Sequence, residues 1–206
     1  MEGCHRAEPR YPSLRFHLVA MAASAGGLQA LGQVLSSLPS GLPAAIVVVQ
    51  HLDPHHRSRM AEILAKRTPL QVAEAVEGER LQPGQVRIAP PDRHLLVNPD
   101  GSLTLSQSEL VHFVRPSADL LFESAAAAFG KRVIAVVLTG TGSDGAMGVT
   151  AVKKMGGVVI AQDEASSDFF GMPRAAIKAG AVDLVLPLAE IPPTIVALVA
   201  GEAVHE

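Results

Sequence analysis

The chain has 206 residues, 48% hydrophobic and 18% charged, with a formal net charge of -3, which fits one globular domain and argues against a phosphate-neutralising nucleic-acid binder. Aromatics are only 3% and Trp is absent, so the core must come from Val, Leu, Ile and Ala, a composition suited to parallel strands covered by helices. A lone cysteine, Cys4, leaves no intrachain disulfide. No signal-peptide core precedes Pro12 and no apolar run reaches the roughly 18 residues of a membrane span, so a cytoplasmic protein without direct membrane insertion is expected.

Residues 1–13 read as a flexible leader, 14–197 as one domain and 198–206 as a tail. Phe16 to Met21 predicts a strand. After Gly27 the leucines Leu28, Leu31, Leu35 and Leu38 recur at helical spacing until Pro39-Ser40-Gly41 stops the pattern. Ala45 to Val49 predicts a second buried strand, and Arg57 to Lys66 a helix. Four short strands follow at Gln71 to Val76, Val86 to Ala89, His94 to Val97 and Ser102 to Leu105. The last two are joined by Asn98-Pro99-Asp100-Gly101, a hairpin turn.

Alternation of helix and strand then resumes. Ser117 is placed to cap a helix ending near Phe129, Val133 to Leu138 is a strand, Gly145 to Met155 a helix, and Val158 to Ala161 a strand. Pro173 suits the first position of a helix running to Ala179, and Leu184 to Leu186 is the last strand. The expected fold class is α/β: a doubly wound, mostly parallel sheet with helices on both faces and a small β-hairpin excursion.

Three loops at the expected carboxyl edge of that sheet carry chemistry. Ser24 lies in Ala22-Ala23-Ser24-Ala25-Gly26-Gly27, a small-residue corner between strand and helix. There a serine either caps the helix or stands clear as a nucleophile. His51 closes the second strand, either as a polar strand end, as a base, or as a metal ligand with His55 and His56. The Pro54 turn gives that histidine cluster no defined ligand face, so no metal is expected. Asp144 lies in Thr139-Gly140-Thr141-Gly142-Ser143-Asp144-Gly145, which spells G-x-G-x-x-G with Asp163-Glu164 about 20 residues on, a dinucleotide fingerprint. A carboxylate at that helix start would repel a pyrophosphate. Beside an imidazole it would instead complete a Ser-His-Asp set, although it could equally cap the next helix. The chain order Ser, His, Asp, and Ala22 in place of the first glycine of a G-x-S-x-G elbow, disfavour an α/β-hydrolase.

Together, Ala23-Ser24-Ala25-Gly26-Gly27, Val48-Val49-Gln50-His51, Ile88-Ala89-Pro90-Pro91-Asp92-Arg93-His94, Arg115-Pro116-Ser117-Ala118-Asp119, Leu138 to Ala146 and Gly171-Met172-Pro173 resemble the catalytic domain of CheB-type protein-glutamate methylesterases. The resemblance spans about Leu14 to Val196. It implies Ser24 as nucleophile, His51 as general base and Asp144 as orienting acid. Backbone N–H groups of Ala25, Thr141 and Gly142 would supply the oxyanion site. The implied reaction is hydrolysis of glutamyl methyl esters on the cytoplasmic helices of chemoreceptors, releasing methanol, with glutamine deamidation in some members. No cofactor is implied, because water completes turnover through an acyl-enzyme.

Thr141 stands where the family's turn carries Met; the change keeps the backbone N–H and alters side-chain packing. The family's N-terminal receiver domain has no counterpart in residues 1–13, so control by that route is not expected. The segments Leu52-Asp53-Pro54 and Arg115 to Asp119 are similar to stand-alone members and to ones fused to a methyltransferase, which makes a methyltransferase or other signalling proteins candidate partners. The competing readings are a receptor-binding or scaffold module with a weakened site, and a dinucleotide-binding domain.

Overall fold

The structure, a computed structural model, describes residues 15–51 and 58–201. Cys4, the Leu52-Asp53-Pro54 segment, His55, His56 and Arg57, together with residues 1–13 and most of the expected tail, lie outside the described residues. The elements in chain order are β1 (His17–Ala23), α1 (Gly27–Ser36), β2 (Ala44–Gln50), α2 (Met60–Ala65), β3 (Gln71–Glu74), β4 (Gln85–Ile88), β5 (His94–Val97) and β6 (Leu103–Ser106). They continue with α3 (Ala118–Phe129), β7 (Val133–Val137), α4 (Gly148–Lys154), β8 (Val158–Gln162), α5 (Gly171–Lys178), β9 (Leu184–Leu186) and α6 (Ile191–Ala200).

Seven strands form one sheet in the order β3-β4-β2-β1-β7-β8-β9. All neighbouring pairs in it are parallel. β5 and β6 pair antiparallel as a separate hairpin, its turn closed by Gly101 N–H donating to Asn98 C=O at 2.9 Å, with Gly101 at φ 80. The sequence pattern grouped four short strands as one excursion. Only the last two leave the sheet; β4 extends it on β2 and β3 extends it on β4, because the pairing of β4 with β2 is a long-range event that local pattern does not encode.

Alternation along the central strands divides the core. Leu18, Ala20 and Ala22 of β1 face one cluster, with Leu121 and Phe122 of α3, Val149 and Val152 of α4, and the hairpin's Leu95 and Leu103. Val19, Met21 and Ala23 face the other, with Leu31 and Leu35 of α1, Leu64 of α2 and Ile195 of α6. Each fully buried Leu, Ile or Phe contributes roughly 1.5–3 kcal/mol, so two filled faces supply the driving force that the scarcity of aromatics did not.

Three local expectations shift. Leu28 is 37% exposed, and the buried face of α1 is Ala30, Leu31, Val34 and Leu35. Pro173 is the third residue of α5, which begins at Gly171; a first-turn N–H has no intrahelical partner, so proline is tolerated there too. Beyond the last expected strand the structure adds α6, whose Pro192-Pro193 suggests a break but lies in the first turn of the helix.

Candidate active site

Strand register assembles the site. Ala23 is paired with Gln50, and Leu138 N–H donates to Ala22 C=O at 2.9 Å. The next residues out, Ser24, His51 and Thr139, therefore leave three adjacent strands side by side. His51 N–H donates to Ala23 C=O at 3.1 Å, and Ser24 N–H to Thr139 C=O at 3.0 Å. β1 leads to α1 on one face, whereas β7 leads to α4 on the other, so a crevice opens between them at the carboxyl edge, the usual ligand position in such sheets.

The corner at Ser24 is held from inside. α1 is capped by Gly26, at φ 79, with no side-chain cap bond, so Ser24 does not serve as its cap. Gln50, 5% exposed, donates from Nε2 to Ser24 C=O at 2.7 Å and to His51 C=O at 3.1 Å. Gly27 N–H also donates to Ser24 C=O, at 2.9 Å. C=O and N–H of a trans peptide point in opposite directions, so anchoring Ser24 C=O turns Ala25 N–H away from these anchors. Among the described residues that N–H, and those of Thr141 and Gly142, donate to no protein acceptor. The hydroxyl of Thr139 lies 3.1 Å from Ala25 C=O and accepts from Phe169 N–H at 2.9 Å. Gly140 is obligatory: a Cβ there would sit 2.8 Å from Ser24 Cβ.

His51 Nε2 lies 2.8 Å from Asp144 Oδ2. That contact places the ring proton on Nε2 and leaves the Nδ1 lone pair free to accept a proton, the reverse of the usual assignment of the two nitrogens. Asp144 accepts three further bonds: from Ser117 Oγ at 2.8 Å, Ala118 N–H at 2.6 Å and Asp119 N–H at 3.2 Å. Burial pushes the Asp144 carboxyl up, but the His51 contact and the Ala118 and Ser117 bonds outweigh it and hold it below its ordinary value. Among the described residues, Ser24 Oγ forms no hydrogen bond with His51; in such sites that contact often tightens only once substrate is bound.

Two capping expectations are corrected. Ser117 is the N-cap residue of α3 but makes no side-chain cap bond; its hydroxyl goes to Asp144, whose carboxylate takes the first N–H groups of the helix instead. Asp144 does not cap the helix after its own loop. That role falls to Asp119, whose Oδ1 accepts Met147 N–H at 3.0 Å and Gly148 N–H at 2.7 Å. The carboxylate wins over the serine hydroxyl because a charged acceptor makes roughly twice as strong a bond to an N–H.

The structure thus joins His51 and Asp144 by side chain and sets Ser24 at the end of the adjacent strand, while Ala25, Thr141 and Gly142 have N–H groups with no protein acceptor among the described residues. Gln50, Thr139 and Ser117 join them, and no local pattern marks their roles, since each bonds to a residue at least 26 positions away. Packing accounts for two glycines of G-x-G-x-x-G, Gly140 against Ser24 and Gly145, at φ 96, against Phe122, whereas Gly142 has open space around it and is required by its φ of 89. Asp163 accepts from the Ser166 N–H and hydroxyl within its own turn. Nothing in the loop favours the dinucleotide reading. Among the described residues no three His, Cys, Asp or Glu side chains gather as metal ligands, and no helix is long and apolar enough to cross a membrane.

Fold and edge residues together define a doubly wound α/β protein that brings a serine, a histidine and a carboxylate to the switch point of its sheet. The chain belongs to the CheB methylesterase family, whose pattern matches residues 19–195. It is 44% identical over 198 residues to a protein-glutamate methylesterase/protein-glutamine glutaminase of Moorella thermoacetica, with 93% of this chain and 47% of that protein aligned. A second protein of that name, from Anaeromyxobacter dehalogenans, is 47% identical over 86% of this chain and 52% of its own length. The chain therefore spans about half the length of these relatives. The crystal structure of the Thermotoga maritima CheB methylesterase catalytic domain superposes with a TM-score of 0.86 at 40% identity, covering 89% of this chain and 99% of that one.

Proposed function

We propose that the chain is a serine hydrolase that cleaves glutamate methyl esters on chemoreceptor proteins, releases methanol and also deamidates glutamine. The observation that carries this reading is the 2.8 Å contact of His51 with Asp144 on the strand end next to Ser24. The names of its relatives, protein-glutamate methylesterase/protein-glutamine glutaminase, supply the substrate class.

Ser24 Oγ attacks the ester carbonyl as His51 Nδ1 takes its proton. Asp144, held ionised, keeps the ring proton on Nε2 and stabilises the imidazolium that forms. Ala25 N–H, aimed by the anchored Ser24 carbonyl, and the Thr141 and Gly142 N–H groups receive the developing oxyanion. His51 returns the proton to the departing methanol. Water, activated by the same imidazole, then hydrolyses the acyl-enzyme. An amide substrate follows the same course with ammonia leaving. The partners are the methylated cytoplasmic helices of a receptor, and the compartment is the cytoplasm.

The test is methanol release from a methylated receptor fragment by wild type and by Ser24→Ala. The substitution abolishes release and blocks labelling by a serine-directed phosphonate. Equal release by the two proteins would overturn the assignment; receptor binding by a wild type that neither releases methanol nor takes the label would favour the scaffold reading.

A further inference from the structure

The loop after β6 ends in a tight turn at Val111–Val114, closed by reciprocal backbone bonds: Val111 N–H to Val114 C=O at 3.2 Å, and Val114 N–H to Val111 C=O at 2.9 Å. Its central residues, His112 at φ 49 and Phe113 at φ 65, are both left-handed. That is the pattern of a type I′ turn, a conformation that Asn-Gly adopts readily and a histidine and phenylalanine do not. The Phe113 ring is 94% exposed, and Leu110 beside it 53%. Strain of this kind persists only where surrounding structure over-determines it, and it clusters at functional sites.

The surroundings supply that constraint. Arg115 holds Asp92 Oδ1 through Nε at 2.9 Å and through a terminal nitrogen at 2.6 Å, and it donates to Ser108 C=O at 2.7 Å. His94, fully buried, donates from Nε2 to Glu109 C=O at 3.0 Å. His112 Nε2 faces Asp119 Oδ2 at 3.6 Å, an oxygen that is buried without a hydrogen-bond partner. Both ends of the loop and its tip are pinned to the segments that carry Ser117, Asp119 and, through them, Asp144. A mobile surface loop would let the ring fold back onto the protein; this one presents it.

We infer that Phe113 is a docking knob for the substrate helix. It would insert between apolar side chains three and four residues apart on an amphipathic helix, while the ester-bearing glutamate of that helix reaches Ser24. A helix offers such a hole on its apolar seam, and single exposed aromatics commonly dominate such contacts. Met147, a second exposed apolar residue at 63%, donates its N–H to the Asp119 carboxylate that His112 faces. The inference rests on the esterase reading, because it takes the substrate to be a helix.

Phe113→Asn is the informative variant, since asparagine accepts the left-handed conformation and removes only the ring; Phe113→Leu keeps an apolar knob. The readout is the ratio of kcat/KM on a methylated helical receptor fragment to kcat/KM on a small aryl acetate. In Phe113→Asn the ratio falls about tenfold, through KM, and Phe113→Leu recovers most of it. An unchanged ratio overturns the proposal, as does an equal loss on both substrates. A wild type inactive on both would mean that the esterase reading has failed. The knob is then judged by binding of the same fragment to Ser24→Ala and to Ser24→Ala with Phe113→Asn: weaker binding by the double variant supports it, and equal affinity overturns it.

Discussion

Asp144 and Asp119 cap each other's helices. Asp144, from the loop before α4, accepts the Ala118 and Asp119 N–H groups at the start of α3, while Asp119, on α3, accepts the Met147 and Gly148 N–H groups at the start of α4. The carboxylate that meets His51 Nε2 is therefore part of the joint between two helices, and its position is set by packing as well as by hydrogen bonds.

Asp144→Ala and Asp144→Asn should separate these roles. Alanine leaves the Ser117 hydroxyl and two buried N–H groups without acceptors, costing about 3 kcal/mol or more. Asparagine retains one acceptor oxygen and most of the joint, yet cannot stabilise an imidazolium as a carboxylate does, so kcat falls by about 10^4 with a much smaller loss of stability. Denaturant melts and steady-state kinetics on the same preparations check this. Equal stability losses would contradict the capping role.

In the proposed reaction Gln50 acts as a positioning residue. Gln50→Leu removes the bonds to Ser24 C=O and His51 C=O, so the Ser24–Ala25 peptide loses the anchor that aims Ala25 N–H. The expected result is a kcat lower by about 10^2, KM little changed, and a matching loss of affinity for a tetrahedral phosphonate. A rise in KM with kcat intact would assign Gln50 to substrate binding instead.

The two aspartates respond to pH with opposite sign. Burial, reinforced by the nearby Asp144 charge and opposed by the Gly148 N–H, raises the Asp119 carboxyl above its ordinary 3.8. The stability Asp119 contributes is thus fully present below that value and is lost as pH rises through the folded-state value. Asp144 is lowered, so its contribution is present above 3.8 and is lost as pH falls through its folded-state value. Asp119→Asn should therefore gain on wild type as pH rises from about 3 toward 7, most steeply just above 3.8. Thermal melts across that range measure the difference, and a difference independent of pH would contradict the shift.

Much was legible locally. The small-residue corner at Ala23 to Gly27, the apolar runs Phe16 to Met21 and Ala45 to Val49, and the Asn98 to Gly101 turn are short-range signals, and the strands, the hairpin and the three chemical residues follow from them. The side-chain cap of α3 differs from the local expectation for a physical reason. Ser117 satisfies the local rule for a cap, and only a carboxylate 27 positions away takes its place. Gln50 shows the same limit, since its partner Ser24 lies 26 positions back.

The sequence by itself determined which residue types stand at the ends of which strands, because hydrophobic period and turn chemistry are written within a few residues. Tertiary structure alone decided what those residues face. Register set Ser24 between His51 and Thr139, the packing of α3 on α4 turned Asp144 toward His51 Nε2, and an internal glutamine fixed the peptide whose N–H the reaction would use. Each is a contact between distant segments, whose geometry depends on how whole elements pack rather than on neighbours in the chain.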